Sequence, residues 1–493
     1  MGVLKRLASE TAIYGMSTIL ARIINYFFVP IYTRVLTKAE YGSVAYFMAY
    51  IAVLQVVLTL GLETGCFKFA NNNKDSKAPF STAFSTVFIV SAVTFFILAY
   101  YSNWIANLIE YEGYKTVIIY VGGILALDSI TSILFARLRF LKKALKFATI
   151  KSIKILSELG FNVLLLFGLP AYFKNNPDSV LLNFIPATPD FSYIILAILL
   201  SCIVCTLLLL PDIFRIKFSI DKHLWKQMMI YSIPIMVAGL PGILNELLDR
   251  VLFTHFSPQG SDWQAELGVY QASIKLAVIM NLFIQMFRYA AEPFFFEKDK
   301  GNKKEMLAKV MEYFVAFCTI IFLGVTMYID VIGLILGKDF RGGLAIVPYA
   351  LISYMILGVM FNVSMWYKLS GQTKYAIYIT SLGLLITVVG NVAFMPIYSY
   401  WASVITHLVS CAVMLAFSVY LGNKHNYIPY NWRVIGVYFG VGLLVFGVFL
   451  VAQYFIGERG GLPVRLGIAT VLMLGYLGFV LKLSGGIKNI LKI

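Results

Sequence analysis

Residues 191–213 read FSYIILAILLSCIVCTLLLLPDI, and this one stretch decides the class of fold. No charged side chain occurs in it before Asp212. A transmembrane helix needs about 20 consecutive, mainly apolar residues. The strand of an outer-membrane barrel would instead alternate apolar and polar residues. The stretch therefore predicts a membrane-spanning helix.

The same pattern recurs along the whole chain. Of its 493 residues, 60% are apolar and 13% are charged, whereas soluble domains are about 45–50% apolar and about 25% charged. Apolar runs bounded by polar or turn residues predict fourteen spans. They cover residues 11–33, 41–66, 80–102, 116–136, 147–170, 191–213, 228–254, 267–293, 307–329, 343–366, 374–395, 399–421, 433–456 and 463–482. The fold class predicted is an all-α polytopic membrane protein, and no polar stretch is long enough for a soluble catalytic domain.

The basic residues orient these spans. The net charge is +16, which in a soluble protein would indicate nucleic acid. Here 27 of the 40 Lys and Arg residues lie at the termini and in the even-numbered connections, and 8 lie in the odd-numbered ones. Since cytoplasmic loops carry the excess of Lys and Arg, both termini are predicted to be cytoplasmic. No nucleic-acid partner is expected.

Short matches between the two halves indicate an internal duplication. The matching pairs are RVL at 34–36 and 250–252, AEYG at 39–42 with AELG at 265–268, and KFA at 146–148 with KYA at 374–376. They occur in chain order with a slowly increasing offset. A six-span repeat enters the membrane in the same orientation twice, so the two lobes are related by an axis along the membrane normal. The predicted lobes are residues 1–220 and 221–426, and residues 427–493 add two further spans.

Polar residues within the spans are the candidates for a binding site, because a charge inside a membrane costs about 2.5–3.5 kcal/mol and usually faces a cavity or a partner. The candidate substrate-binding residues are Thr18, Arg22 and Asn25 in span 1, Lys151 and Lys154 in span 5, and Asn281, Gln285, Arg288 and Glu292 in span 8. Structural alternatives remain open for the charged ones. Arg22 could pair with an acidic neighbour, Arg288 and Glu292 could satisfy each other, and the two lysines could extend the cytoplasmic positive belt.

Acidic residues inside the spans are candidates for coupling transport to an ion, H⁺ or Na⁺. Asp128 stands alone in span 4, and Glu158 shares a face of span 5 with Lys154, which could neutralise it. Glu246 and Arg250 are four residues apart near the end of span 7 and are predicted to form a structural ion pair.

No enzyme motif is present. The sequence contains no Walker loop, no HExxH motif and no nucleophile elbow. Cys202 and Cys205 form a CxxC pair without a second Cys or His pair at ligand spacing, which favours small core residues over a metal or redox site. We expect a protein that is not an enzyme and that needs no metal or cofactor.

Two stretches resemble a known family. They are residues 9–15 (SETAIYG), continued by PIYTR at 30–34 and EYG at 40–42, and residues 288–294 (RYAAEPF). Both are similar to bacterial polysaccharide flippases, a branch of the multidrug/oligosaccharidyl-lipid/polysaccharide exporter superfamily. The resemblance implies two six-helix lobes in a V shape with two extra C-terminal helices. It also implies alternating-access movement of undecaprenyl-pyrophosphate-linked oligosaccharide from the cytoplasmic to the external leaflet, for lipopolysaccharide, capsule or exopolysaccharide biosynthesis.

The resemblance further implies a location and partners. The protein would lie in the bacterial cytoplasmic (inner) membrane, contact membrane lipid, and work with a polysaccharide polymerase and chain-length machinery. Two alternatives stay open: a drug/cation antiporter on the same fold, which would favour an acid-rich cavity, and a membrane polysaccharide polymerase, which typically carries a large external loop.

Overall fold

The computed structural model of the protein describes residues 26–72, 77–183, 188–296, 303–456 and 461–484. Within them thirteen helices are long and apolar enough to cross a membrane. These spans are Lys38–Asn71, Ala78–Tyr100, Lys115–Phe140, Ala144–Asn175, Phe191–Ile213, Lys222–Phe256, Trp263–Arg288, Lys304–Thr326, Lys338–Leu369, Lys374–Tyr398, Tyr400–His425, Trp432–Ile456 and Gly461–Leu483. They match the second to fourteenth predicted spans one to one. Most of the first predicted span, 11–33, lies outside the described residues, so the count of fourteen stays a prediction.

The chain divides into two compact units, Met1–Gly268 and Val269–Ile493. The helices of the first unit are α1 (Val29–Val35), α2 (Lys38–Thr59), α3 (Leu62–Asn72), α4 (Ala78–Tyr100), α5 (Ser102–Leu108), α6 (Lys115–Phe140), α7 (Ala144–Val163), α8 (Leu169–Asn175), α9 (Phe191–Ile213) and α10 (Lys222–Phe256). Helix α11 (Trp263–Phe296) begins in the first unit and continues into the second. The predicted lobe boundaries at residues 220 and 426 stay predictions, because compactness does not identify rigid bodies.

The helices of the second unit follow with short connections. They are α12 (Lys303–Thr326), α13 (Ile329–Ile332), α14 (Val347–Val363), α15 (Met365–Leu369), α16 (Lys374–Tyr398), α17 (Tyr400–His425), α18 (Trp432–Ile456) and α19 (Gly461–Leu483). A 3₁₀ segment, Lys338–Ile346, leads into α14, and a π-helical turn, Leu164–Gly168, joins α7 to α8.

Local sequence signals explain where several helices begin. The Thr37 hydroxyl accepts from the Glu40 amide at 3.3 Å, and the Glu40 carboxylate accepts from the Thr37 amide at 2.7 Å, which makes a capping box for α2. Asp221 accepts from the Leu224 amide at the start of α10. These side chains satisfy amides that the first turn of a helix leaves without a partner.

In the first unit, α6 packs against α4 and α9, α9 also packs against α7, and α10 packs along α2 and α3. The core between these helices contains Leu62, Cys66, Phe80, Ile133, Leu209 and Met228. The two prolines of α10, Pro234 and Pro241, lie inside one continuous helix. A proline removes one helical hydrogen bond, and α10 continues through both positions without a break.

In the second unit, α17 packs against α14 and α16, and α12 joins this group to the two C-terminal helices. Gly442 in α18 lies against Thr319 in α12, where a Cβ atom would come within 2.2 Å of the threonine methyl group. The Tyr476 hydroxyl of α19 donates to the Tyr438 carbonyl of α18 at 2.9 Å. The two C-terminal spans, which lie outside the predicted duplication, are therefore fixed to the second unit through α12.

Candidate functional site

The predicted site residues fall into three groups. Thr18, Arg22, Asn25 and the side chain of Glu292 lie outside the described residues. The first unit contains Asp128, Lys151, Lys154, Glu158, Glu246 and Arg250. The second unit contains Asn281, Gln285 and Arg288.

In the first unit, Asp128 and Lys154 form an ion pair between α6 and α7. The Lys154 ammonium donates to Asp128 Oδ1 at 2.5 Å, and the two side chains are 20% and 18% exposed. The Cys202 thiol of α9 donates to the same carboxylate oxygen at 3.3 Å. Asp128 is the one charged residue of predicted span 4, and the structure pairs it with a lysine of span 5. Packing of α9 on both α6 and α7 brings the three side chains together.

Glu158 lies one turn beyond Lys154 on α7. It interacts electrostatically with Lys154 and Asp128, but among the described residues Lys154 forms its ion pair with Asp128. Lys151, one turn before Lys154, lies 5.0 Å from the centre of the Phe135 ring and 5.8 Å from that of Phe147. The cluster thus combines two lysines with two acids, and this balance makes it a weak attractor for an anion.

The ion pair predicted between Glu246 and Arg250 is not formed in the described part of the chain. Glu246 is exposed, whereas Arg250 Nε is buried without a hydrogen-bond partner. The Arg250 amide donates to Asp249 Oδ1 at 2.8 Å. Helical spacing of four residues permits a pair but does not require one, and here the Glu246 side chain is exposed and makes no ion pair with Arg250. This prediction is wrong.

In the second unit, two cations converge on one aromatic ring. The Arg288 guanidinium carbon of α11 lies 4.4 Å from the centre of the Phe361 ring, and the Lys368 ammonium of α15 lies 4.3 Å from the same centre. The two charges are consequently no more than about 9 Å apart. One and two turns before Arg288, the Gln285 amide donates to Asn281 Oδ1 at 3.3 Å. We call Asn281, Gln285, Arg288, Phe361 and Lys368 the cationic cluster.

The short helix α15, which carries Lys368, is held by its neighbours. Trp366 is 1% exposed, its indole N–H donates to the Ser418 hydroxyl at 3.3 Å, and its carbonyl accepts from the side-chain amide of Asn426 at 3.2 Å. A Cβ atom on Gly422 would lie 2.9 Å from the indole ring, so this glycine makes room for Trp366 on α17. The position of Lys368 is therefore set by a packed tryptophan.

Sequence reasoning missed Lys368 and Phe361 as site residues. The distribution of Lys and Arg places Lys368 in a predicted cytoplasmic connection, after the span 343–366. The available signal was the spacing, because Phe361 precedes Lys368 by seven residues, about two helical turns, which places an aromatic ring and a lysine on one face.

The chemistry available to these groups is binding. Among the described residues, no three His, Cys, Asp or Glu side chains are placed to hold a metal ion. The cationic cluster can attract an anion. In the first unit, the carboxylates of Asp128 and Glu158, beside Lys151 and Lys154, are groups that can bind and release a proton or a cation.

Known proteins were compared with the chain by sequence and by structure. No curated protein sequence matches the chain closely enough to count as a relative. An inward-facing multidrug resistance MATE transporter of the MOP superfamily is 13% identical, covers 80% of this chain and 93% of its own, and superposes with a TM-score of 0.56. An outward-facing one is 12% identical over 85% of this chain and 97% of its own, with a TM-score of 0.53. A MATE transporter of Vibrio cholerae is 12% identical over 86% of this chain and 98% of its own, with a TM-score of 0.54.

At such low identity these structures establish the fold alone, a multi-pass fold shared with transporters of the MOP superfamily. The family is established by sequence: a model described as "Polysaccharide biosynthesis protein" matches residues 7–299. This match covers more than half of the chain and confirms the resemblance at residues 9–42 and 288–294. The chain belongs to the polysaccharide biosynthesis protein family.

Proposed function

We propose that the protein is a flippase for undecaprenyl-pyrophosphate-linked oligosaccharide. It moves this lipid from the cytoplasmic to the external leaflet of the bacterial inner membrane by alternating access, for lipopolysaccharide, capsule or exopolysaccharide biosynthesis. The observation that carries the proposal is the cationic cluster, considered together with the family match over residues 7–299.

The physical reason lies in the headgroup. A pyrophosphate is anionic and presents several oxygens, for which a guanidinium offers paired donors and an ammonium offers a compact charge. Arg288 and Lys368 supply one of each. The amides of Asn281 and Gln285 add neutral donors and acceptors for sugar hydroxyls. The lipid tail stays in the bilayer and needs no polar contact.

Arg22, Thr18 and Asn25 belong to the proposal on sequence grounds. They form the polar stripe of the first predicted span, and Arg22 would add a third cation to the headgroup site. The coupling ion, H⁺ or Na⁺, would be handled by Asp128 or Glu158. A polysaccharide polymerase and chain-length machinery would take up the exported lipid.

The main alternative is a drug/cation antiporter. The acids Asp128 and Glu158 of the first unit favour it, since a cationic substrate needs carboxylates. Against it, the ion pair with Lys154 offsets the charge of Asp128, and the cationic cluster would repel a cation. A polymerase is the weaker alternative, because the longest predicted external connection has about twenty residues.

The test is export of lipid-linked oligosaccharide in a strain that lacks the gene and carries a plasmid copy. Arg288→Ala and Lys368→Ala should each reduce export about tenfold or more, and Arg288→Lys should keep part of it. Lys374→Ala is the matched control, because Lys374 lies 5.6 Å from the ring of its neighbour Tyr375 and outside the cluster. Unchanged export with Arg288→Ala, or efflux of a cationic dye in place of the lipid, would contradict the proposal.

A further inference from the structure

The duplicated stretches AEYG and AELG meet each other in the fold. Each lies in the first turns of its helix, α2 or α11, and both belong to the first unit. A Cβ atom on Gly42 would lie 1.9 Å from the carbonyl oxygen of Gln264, and one on Gly268 would lie 1.9 Å from that of Lys38. Each carbonyl comes four residues before the glycine of its own helix. The contact is therefore reciprocal, with equivalent atoms from the two copies of the repeat.

Only glycine permits this crossing. In place of a Cβ atom, each glycine presents a Cα–H bond to the opposing carbonyl oxygen, the weak hydrogen bond that is typical of closely packed helices. Contacts of this kind have carbon–oxygen distances of about 3.3–3.6 Å. Any larger residue at either position must push the two helix backbones apart, because the opposing atom belongs to the main chain and cannot rotate away.

Aromatic side chains pack together at the same end of these helices. The Trp263 ring lies 5.3 Å from the Tyr46 ring and 6.1 Å from the Tyr111 ring. The Tyr111 hydroxyl donates to the Ser43 hydroxyl at 2.9 Å. Tyr46 and Tyr111 are 1% and 3% exposed. These rings therefore pack beside the glycine crossing, between α2 and the start of α11.

The crossing lies at the ends of the spans that the distribution of Lys and Arg predicts to be external. We propose that Gly42 and Gly268 are the residues of an external gate, which is closed in this structure and separates when the cargo is released. The inference rests on the proposed function for the direction of export. It adds that the two copies of the repeat close the external side through their own equivalent glycines.

The first experiment measures opening without any cargo. In a variant whose native cysteines are replaced, Ser43→Cys reports on the gate, because Ser43 is 3% exposed beneath the crossing. Intact cells are treated with a membrane-impermeant maleimide. Adding Gly42→Ala or Gly268→Ala should raise the rate of labelling about tenfold or more, since a Cβ atom at either position favours the separated state.

Two controls accompany this measurement. Gly436→Ala places a Cβ atom where no other atom lies within 4 Å, and it should leave labelling unchanged. Lys304→Cys, in the predicted cytoplasmic connection, should label in inside-out vesicles but not in intact cells. Gly42→Ala and Gly268→Ala proteins that reach the membrane at the parental level and label no faster would overturn the gate. Labelling of Ser43→Cys only in inside-out vesicles would overturn its external location.

The second experiment leaves the glycines unchanged, so a folding defect cannot mimic its result. Lys38→Cys and Gln264→Cys lie on the turns that touch, and a reducible bifunctional thiol reagent about 10 Å long can bridge them. Cross-linking should stop export, and reduction should restore it. Export that continues after complete cross-linking overturns the proposal. Because the labelling rates need no substrate, failure of the proposed cargo and failure of the gate give different results.

Discussion

At the scale of single residues, the ion pair between Lys154 and Asp128 has a large energetic consequence. Both side chains are largely buried, and removing one partner of a buried pair leaves an uncompensated charge at a cost of about 3–5 kcal/mol. Replacing both partners by neutral residues of similar size is much less harmful. Charge balance therefore matters more here than either charge alone.

We expect Lys154→Met to lower the free energy of unfolding by about 3 kcal/mol and to reduce the melting temperature of the purified protein. The double variant Asp128→Asn/Lys154→Met should recover most of that loss, which a double-mutant cycle on detergent-solubilised protein measures. Glu63→Gln is the matched control, because its pair with Arg139 is exposed on both sides and contributes little. A double variant as unstable as the sum of the single variants would refute this account.

The identity of that partner could not be read from the sequence. Hydropathy places Asp128 in span 4 and Lys154 in span 5, and it leaves both Asp128 and Glu158 within possible reach of the lysine. Which acid pairs is decided by the rotation and depth of α6, α7 and α9, which depend on three-dimensional packing. The same limit explains the error at Glu246 and Arg250. Their spacing of four residues allows an ion pair, but the Glu246 side chain is exposed whereas that of Arg250 is partly buried.

At the scale of helices, sequence prediction succeeds where the signal is long. Thirteen spans match because each needs about 20 apolar residues, a requirement set by the membrane and independent of neighbouring helices. The sequence also predicts a duplication, from the paired stretches at 39–42 and 265–268. Their contact through Gly42 and Gly268 was not, since a helical repeat shows equivalence and does not show proximity. Short elements such as α15 were missed because five residues carry no periodic signal.

Helix α15 gives a prediction at this scale. Gly422→Ala brings a methyl group within 2.9 Å of the Trp366 ring, which Ser418 and the surrounding core prevent from moving away. Overpacking of this kind costs about 1–3 kcal/mol, and it should displace Lys368 as well. We expect a lower melting temperature together with reduced export. Gly436→Ala, which meets no atom within 4 Å, should be neutral, and a Gly422→Ala protein that behaves in the same way would contradict the anchoring role of Trp366.

At the scale of the whole molecule, the two units contribute different electrostatics to the proposed cycle. The second unit carries Arg288 and Lys368 against the Phe361 ring, and in the proposed cycle these cations would attract the anionic headgroup. The first unit presents a balanced set of acids and lysines around Asp128. A division of this kind suits a transporter that binds its cargo through one set of groups and exchanges an ion through another.

Transport against a gradient needs a source of energy. The sequence has no ATP-binding motif, and each charge that moves through the membrane potential yields about 2.3 kcal/mol per 100 mV. For Asp128 to carry a proton or a sodium ion, its ion pair with Lys154 must open during the cycle. The Lys154 ammonium can then pair with the carboxylate of Glu158, one turn away on α7. A facilitated cycle driven by downstream polymerisation is the alternative, in which the pair stays closed and serves only the fold.

Ion-coupled transport and a facilitated cycle can be distinguished in proteoliposomes. The measurement is transport of lipid-linked oligosaccharide with and without an imposed pH or sodium gradient. If transport is coupled through Asp128, a gradient should accelerate the parent protein, and Asp128→Asn should transport at one rate whether or not a gradient is present. Glu63→Gln, which breaks an exposed ion pair elsewhere in the same unit, should keep the response of the parent. If neither gradient changes the transport rate of the parent protein, coupling through Asp128 and coupling through Glu158 are both excluded. An acid that coupled transport to an ion would make the rate depend on that ion's gradient.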